Sequence, residues 1–264
     1  MKQILNSNID PNWPAIEIDY HKPVDLFIDS FNGYDQNKDS FKILWIKEAE
    51  AISNFKYFAI ENSSFFDAII SYDDDVLNQC SNSYMLLFGT SWVYNYNFKP
   101  KTFQISHLTG NKNLTVGHKL RQEIHLKQND IATPKDFYIS SHGFIDNRFN
   151  NKVLLDSKEP LFDSQFHICI ENSVQKNYFT EKLIDSLITK TVPIYFGCPN
   201  IGDFFDTRGM FLANTRQEII DICNSLNENS YNEKIEFIER NYLLSKPFET
   251  ICNRLQSLLI EILK

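Results

Sequence analysis

The sequence predicts an α/β protein, and three observations support this class. Short apolar runs, typical of buried strands, alternate with segments whose apolar residues recur at helical spacing. The pattern predicts a strand at residues 166–170, a helix at residues 180–190 and a second strand at residues 192–196. This order is the βαβ unit of a parallel sheet. The chain has 264 residues, of which 42% are hydrophobic, so it can bury a core of one or two domains.

The first 98 residues are predicted to form a small α/β domain. Apolar runs bounded by polar residues or glycine predict strands at residues 24–28, 41–46, 66–72 and 84–88. The acidic run Asp73, Asp74 and Asp75 follows the third of these strands. It can be interpreted as a metal-binding Asp-x-Asp motif or as the turn and acidic first turn of a helix. We favour the helix, because Val76 and Leu77 follow directly.

Residues 99–264 are predicted to form the second domain. Strands are expected at residues 102–106, 137–140 and 210–212, and helices at residues 116–127 and from Thr215, where a capping box with Glu218 begins. Residues 141–163 are predicted to be a polar linker. Residues 247–264 predict an amphipathic helix with Phe248 on its apolar face, which we expect to be core.

Composition excludes several classes of function. The net charge is −8, which argues against a general nucleic-acid-binding or anionic-membrane-binding surface. The five cysteines contain no C-x-x-C pair, so neither a disulfide framework nor a zinc site is indicated. The histidines His107, His118, His125, His142 and His167 show no metal-ligand spacing. No apolar run is long enough for a transmembrane segment, and no signal-peptide pattern is present. These features predict a soluble, cytoplasmic protein, with peripheral membrane association left open.

The loop and helix that follow the strand at residues 166–170 are suited to an anionic ligand. In a βαβ unit, ligands bind beyond the carboxyl ends of the strands. Thr180 is a predicted N-cap, and the helix that it begins presents unpaired N–H groups and a partial positive charge. Lys182 adds a full positive charge in the first turn. The loop has no glycine, so it is neither a P-loop nor a dinucleotide fingerprint, and side chains must contribute much of the binding to a pyrophosphate.

These residues resemble a known signature. The matching residues are Ile170-Glu171-Asn172-Ser173, Tyr178, Glu181-Lys182, Val192-Pro193-Ile194 and Gly197-Cys198-Pro199. In order and spacing they are similar to the donor-binding signature of glycosyltransferase family 10, the α1,3/α1,4-fucosyltransferases. Weaker matches are Ser106, Lys112 and Arg121. An acidic motif of the family is matched by Glu48 and Glu50, although its proline is absent here. The resemblance covers roughly residues 41–213 and suggests a soluble bacterial or viral type.

The resemblance implies a GT-B-like fold, with two Rossmann-like domains facing across a cleft and a C-terminal helix. The N-terminal domain would bind a glycan acceptor, and the C-terminal domain would bind GDP-fucose as the donor. No cofactor would be obligatory, and no metal ion would be needed.

Roles follow from the same resemblance. Arg121 and Lys182 would bind the pyrophosphate, and Asn172 and Tyr178 would add hydrogen bonds. Glu171 and Glu181 would lie near the sugar or ribose, where a carboxylate can accept hydroxyl hydrogen bonds or offset developing positive charge, and Glu181 is a candidate catalytic residue. Ser106 and Lys112 are further candidates for donor contacts, and His118 for a phosphate contact. Glu48, with a raised pKa, would be the catalytic base, with the choice between it and Glu50 left open.

Two other hypotheses about the function are compatible with the sequence. The first is the same architecture with a different nucleotide sugar, because a pyrophosphate site would survive such a change. The second is a non-catalytic protein that binds glycans or nucleotides and has lost its base. The weak match at Glu48 favours this second reading.

Overall fold

The computed structural model describes residues 1–5, 15–141, 149 and 151–264. This part of the chain forms two compact units, the first comprising Met1–Phe88 with Thr250–Lys264 and the second Gly89–Glu249. The sequence placed the boundary after residue 98 and assigned the whole C-terminal tail to the second domain. The structure instead divides the chain after Phe88, and the tail returns to the first unit at Thr250.

Strands and helices alternate along most of the chain. The strands are β1 (Lys2–Ile4), β2 (Glu17–Asp19), β3 (Val24–Ile28), β4 (Phe41–Ile46), β5 (Ala68–Ser71), β6 (Ser83–Met85), β7 (Thr102–Thr109), β8 (Lys135–Ser140), β9 (Lys152–Leu154), β10 (Ser164–Ile170), β11 (Val192–Phe196) and β12 (Phe211–Leu212). The α-helices are α1 (Phe55–Glu61), α2 (Asp74–Gln79), α3 (Val116–Leu126), α4 (Glu181–Ile188), α5 (Arg216–Ser225), α6 (Ile235–Ser245) and α7 (Ile251–Ile262).

The first unit is built on a four-stranded parallel sheet in the order β3-β4-β5-β6. The strands β1 and β2 form a separate antiparallel pair. One face of the parallel sheet, including Ile43 and Trp45, packs with Ile251, Leu255 and Leu259 of α7. This explains why α7 belongs to the first unit, since its apolar stripe completes a core that β3 to β6 cannot close by themselves.

The second unit is built on a six-stranded parallel sheet in the order β12-β11-β10-β7-β8-β9. The chain starts this sheet in the middle at β7, adds β8 and β9 on one side, and then places β10, β11 and β12 on the other. The neighbours β7 and β10 therefore mark a topological switch point, and their carboxyl ends form the place where open α/β sheets bind ligands.

The predicted βαβ unit is confirmed. Strand β10 pairs in parallel with β11, with Phe166 opposite Val192 and Ile170 opposite Phe196. The helix begins as predicted, because the Thr180 side chain accepts a hydrogen bond from the Lys182 backbone N–H. It ends at Ile188, slightly before the predicted residue 190, because Lys190 takes a left-handed backbone conformation with φ of 57°.

Two predictions made elsewhere in the chain need correction. Phe248 was placed on the apolar face of the tail helix, but it lies in a short 3₁₀ helix, Lys246–Phe248, and its ring packs at 5.3 Å from that of Phe179 in the second unit. The predicted linker at residues 141–163, which includes His142, lies partly outside the described residues. Its described part contains β9 and a 3₁₀ helix at Glu159–Asp163, so it is more structured than expected.

Candidate functional site

A pocket opens at the switch point of the second unit. Its volume is about 200 Å³. It is lined by Leu108 of β7, by Gly110 just after that strand, by Ile168 and Ile170 of β10, and by residues of α3 and α4. The charged side chains in the lining are Lys112, Arg121, Lys158, Glu181, Lys182 and Asp185. Four of these are cations and two are anions, so this pocket is net positive in a protein whose overall charge is −8.

Arg121 connects α3 to the end of β10. One guanidinium nitrogen donates to the carbonyl oxygen of Ile170 at 2.5 Å, and another donates to Asn172 Oδ1 at 2.8 Å. Burial lowers the pKa of Arg121, but its ordinary value is so high that the side chain stays charged at neutral pH. The structure thus brings Arg121 and Asn172 into direct contact and holds a cation at the pocket.

Glu171 is buried and is not part of the pocket lining. Its side chain is fully buried, with Oε1 accepting from the Thr180 N–H at 2.8 Å and Oε2 from the Thr180 hydroxyl at 2.7 Å. Burial raises the pKa of Glu171, and Lys182, whose Nζ lies 3.9 Å from Oε2, partly opposes this effect. In this arrangement Glu171 holds the first turn of α4 instead of facing a ligand.

The first turn of α4 contributes a carboxylate, from Glu181, and an ammonium group, from Lys182, to the pocket. Lys182 Nζ lies 3.2 Å from Glu181 Oε1 and donates to Thr180 Oγ1 at 3.1 Å. Lys158 Nζ lies 3.4 Å from the same Glu181 oxygen. Burial by itself would raise the pKa of Glu181, but Lys182 and Lys158 outweigh it and hold that pKa below its ordinary value. Glu181 is therefore an anion at neutral pH.

Histidine side chains complete the polar part of the lining. His118 accepts or donates a hydrogen bond at Nδ1 with Thr115 Oγ1, at 2.7 Å. Burial and the nearby Arg121 lower the pKa of His118 to about 4, so it is neutral at neutral pH. His167 also lines the pocket, and its Nδ1 lies 2.8 Å from Ser106 Oγ.

The remaining predicted donor residues occupy different positions. Lys112 is exposed and lines the pocket. Ser106 is fully buried, bonded to His167 and absent from the lining, while Tyr178 is buried with 1% of its surface exposed and also lies outside the lining. Of the predicted site residues, Lys112, Arg121, Glu181 and Lys182 therefore share the pocket lining, whereas Ser106, Glu171, Asn172 and Tyr178 are not part of it.

Glu48 and Glu50 belong to the first unit. Glu48 follows β4, is about one-third exposed, and has Oε1 at 3.2 Å from Lys47 Nζ. Glu50 accepts from the Tyr57 hydroxyl at 2.6 Å and from Lys56 Nζ at 3.2 Å. These two hydrogen bonds lower the pKa of Glu50.

The acidic run after β5 caps a helix, as we favoured. Asp73 Oδ1 accepts from the backbone N–H groups of Asp75 and Val76, at 2.9 and 3.3 Å. Lys56 Nζ lies 3.3 Å from Asp73 and 2.7 Å from Asp75. Among the described residues, no group of three or more His, Cys, Asp or Glu side chains is arranged to hold a metal ion.

Several pocket residues were missed in the sequence. Lys158 lies in the segment predicted as a linker, and Trp92 lies after the strand predicted at residues 84–88, where no element was assigned. Asp185 sits in the middle of α4, where the helical pattern gave no reason to select it. Asp185 is fully buried, and its Oδ1 accepts from Ser91 Oγ at 2.9 Å and from the Trp92 N–H at 2.7 Å. The sequence offered one signal for Asp185, which is an acidic residue among the apolar residues of the predicted helix. A buried acid needs a hydrogen-bond or ionic partner.

Comparison with known proteins assigns the family. The model of "Glycosyltransferase family 10 (fucosyltransferase) C-term" matches residues 102–233, half of the chain and most of the second unit. The chain belongs to glycosyltransferase family 10. The resemblance predicted from residues 166–206 is thereby confirmed, and the protein is a fucosyltransferase-like member of that family.

Curated relatives match over short stretches. The chain is 36% identical over 53 residues to an α-(1,3)-fucosyltransferase of Helicobacter pylori, and 35% identical over 74 residues to a putative fucosyltransferase-like protein of Arabidopsis thaliana. These stretches are 20% and 28% of this chain but span only 11% and 14% of the relatives.

Solved structures support the fold of this family 10 member. An α1,3-fucosyltransferase with GDP-fucose matches 88% of this chain and 79% of that chain, with a TM-score of 0.54 at 16% identity. TarM matches 87% of this chain and 52% of that chain, with a TM-score of 0.61 at 14% identity. The predicted GT-B-like fold class, with two parallel α/β sheets, is confirmed. In the described ranges, no helix has the length and apolar content required to cross a membrane.

Proposed function

We propose that the protein transfers fucose from GDP-fucose to a hydroxyl group of a glycan, with inversion at the anomeric carbon. The observation that carries this proposal is the placement of Arg121 and Lys182 together at the switch point of the second unit, in a family 10 chain. The second unit would bind the donor, and the first unit would bind the acceptor. The similar fold of a solved α1,3-fucosyltransferase with GDP-fucose supports the choice of donor.

The donor's pyrophosphate would bind between Arg121, Lys182 and the N-terminus of α4. A guanidinium group can bind two phosphate oxygens, and a lysine supplies a point charge. The helix N-terminus adds unpaired N–H groups. Lys112 would contribute a further cation from the exposed side of the pocket, and neutral His118 could donate a hydrogen bond to a phosphate oxygen. No metal ion is needed if these groups balance the charge of the departing GDP.

Transfer requires a base and a stabilised sugar cation. The acceptor oxygen would form its bond to the anomeric carbon while the bond from that carbon to the phosphate oxygen breaks, and GDP would leave with the electron pair. Glu48 would take the proton from the acceptor hydroxyl. Glu181, an anion in the pocket, would offset the positive charge that develops on the sugar. Asn172 would orient Arg121, while Glu171 and Tyr178 would support the loop between β10 and α4.

The proposal is tested first by thermal melting with GDP, GDP-fucose, GDP-mannose, UDP and UDP-sugars. A ligand that binds only the folded protein raises the melting temperature. We expect an increase with GDP and GDP-fucose alone, followed by transfer of fucose when a panel of glycans is added. An increase with UDP compounds alone would assign a different donor. Binding of GDP-fucose without transfer or hydrolysis would contradict catalysis and indicate a binding protein.

A further inference from the structure

Lys158 is a pocket residue without a role in the proposed reaction. Its side chain is only 16% exposed, and its Nζ lies 3.4 Å from Glu181 Oε1 and 3.2 Å from Asp185 Oδ2. The same nitrogen lies 4.2 Å from the centre of the Trp92 ring. A buried lysine with three such contacts is fixed in place, because leaving either carboxylate without a cation would be costly.

Glu181 shares one oxygen between two lysines. Both Lys158 and Lys182 approach its Oε1 atom, at 3.4 and 3.2 Å. The two lysines differ in their other contacts. Lys182 is held by the Thr180 hydroxyl and lies 3.9 Å from Glu171 Oε2, whereas Lys158 lies closer to its second carboxylate, at 3.2 Å from Asp185 Oδ2, and also lies over the Trp92 ring. A pyrophosphate in the pocket would attract Lys182 more easily than Lys158.

We propose that Lys158 is a positioning residue that remains the counterion of Glu181 when Lys182 moves from Glu181 to the donor's pyrophosphate. This inference rests on the proposed function, because it assigns a partner to the carboxylate that would face the sugar. Without Lys158, the departure of Lys182 would leave Glu181 buried without a cation, and the carboxylate would take up a proton. A protonated Glu181 cannot offset a developing positive charge.

The other charged groups around Glu181 cannot replace Lys158 as its counterion. Lys182 and Asp185 face it from α4, Glu171 from the end of β10, and Arg121 from α3, in addition to Lys158. Glu171 and Asp185 are anions or neutral acids that cannot stabilise its charge. Arg121 is held toward the Ile170 carbonyl and Asn172, and under the proposed function it would itself pair with the pyrophosphate. Once Lys182 and Arg121 are engaged by phosphate, Lys158 is therefore the cation that remains beside Glu181 in the described part of the chain.

The direct test is a ¹³C NMR titration of glutamate carboxyl groups in GDP-saturated protein. The Glu181 signal is assigned by its loss in Glu181→Gln. We expect Lys158→Met to raise the apparent pKa of Glu181 by at least about one unit, a tenfold change in its acid constant, and Lys158→Arg to restore it. Failure of GDP to bind the wild-type protein would contradict the proposed function. Binding of GDP with an unchanged Glu181 titration in Lys158→Met would overturn the role of Lys158.

A kinetic test separates positioning from simple structural support. In Lys158→Met, we expect kcat at pH 7 to fall by about tenfold with a change of less than about threefold in KM for GDP-fucose, and the acidic limb of the kcat profile to move to higher pH. Lys190→Met is the matched control, because Lys190 also pairs with a carboxylate, at 2.7 Å from Glu239, and lies over aromatic rings, but outside the pocket. A lower melting temperature with a wild-type kcat profile would show that Lys158 is only structural.

Discussion

The buried carboxylate of Glu171 accepts both hydrogen bonds that Thr180 can donate, at 2.8 Å from the backbone N–H and at 2.7 Å from the hydroxyl. Thr180 in turn caps α4, the helix that carries Glu181 and Lys182. Glu171, at the end of β10, thereby fixes the first turn of α4 across the intervening loop. This contact sets the position of both charged side chains in the pocket.

Loss of the Glu171 carboxylate should destabilise the second unit. We expect Glu171→Ala to lower the free energy of unfolding by about 2–4 kcal/mol, because it leaves buried donors of Thr180 unpaired and opens a cavity. Urea denaturation measures the change. Glu239→Ala, which removes an exposed carboxylate paired with Lys190, is the control and should cost less than about 1 kcal/mol. Equal effects of the two changes would contradict the structural role of Glu171.

Gly117 allows α3 to approach β10. A Cβ atom at this position would lie 1.7 Å from the carbonyl oxygen of Glu171, and the Gly117 N–H donates to the Asn172 carbonyl at 3.1 Å. Gly117→Ala should therefore displace α3, reduce unfolding free energy by more than about 2 kcal/mol and weaken GDP binding through Arg121. Gly202→Ala is the control, since its Cβ would meet nothing closer than 3.5 Å. The prediction is wrong if Gly117→Ala melts and binds GDP like the control.

Buried histidines should make the protein less stable in mild acid. Burial lowers the pKa of His118 to about 4, and those of His107 and His167 to about 3, from an ordinary 6.5. The unfolded chain then binds more protons, so stability is present above pH 6.5 and is lost as the pH falls toward 4. We expect the unfolding free energy to fall between pH 7 and pH 5. His118→Gln should reduce this slope, whereas a change at the exposed His21 should not. A flat profile in wild-type protein would refute the prediction.

Glu48 and Glu50 should respond differently to neutral substitution. Glu50 is held by Tyr57 and Lys56, which lower its pKa and occupy its oxygens, so it is poorly suited to take a proton. We expect Glu48→Gln to lower kcat by about 10²–10⁴-fold and Glu50→Gln by less than about threefold. Transfer assays at saturating donor measure both. The reverse order would make Glu50 the base, and wild-type rates in both would place the base elsewhere.

The sequence was most informative where local patterns determine structure. Strands β3, β4 and β11 and the N-caps Thr180 and Thr215 follow from apolar runs and capping chemistry within a few residues, and the structure confirms them. The helix favoured after the third predicted strand is confirmed as α2, with Asp74 and Asp75 in its first turn. The capping box differs in one detail, because the Glu218 carboxylate accepts from the Asn214 N–H at 2.8 Å.

Features that depend on distant contacts were not predictable in the same way. Lys158 meets Glu181 and Asp185 only because the segment before β10 folds over α4. Ser106 had the right residue type and position along β7, but its side chain is fully buried and bonds to His167 instead of lining the pocket. The packing of α7 in the first unit also depends on a distant contact. The spacing of its apolar residues predicts an apolar helix face but does not indicate against which of the two cores that face packs.

The most direct test of the account is calorimetric titration of GDP-fucose into wild-type protein and into Arg121→Met, Lys182→Met and the control Lys190→Met. We predict one binding site in the wild-type protein and in the control, with affinity reduced by about 10- to 100-fold in each pocket variant, because a charge-assisted hydrogen bond contributes roughly 1.5–3 kcal/mol. UDP-sugars should bind more weakly than GDP-fucose. Binding of GDP-fucose that is unchanged in both pocket variants, or no binding at all to the folded wild-type protein, would contradict the assignment of the donor site.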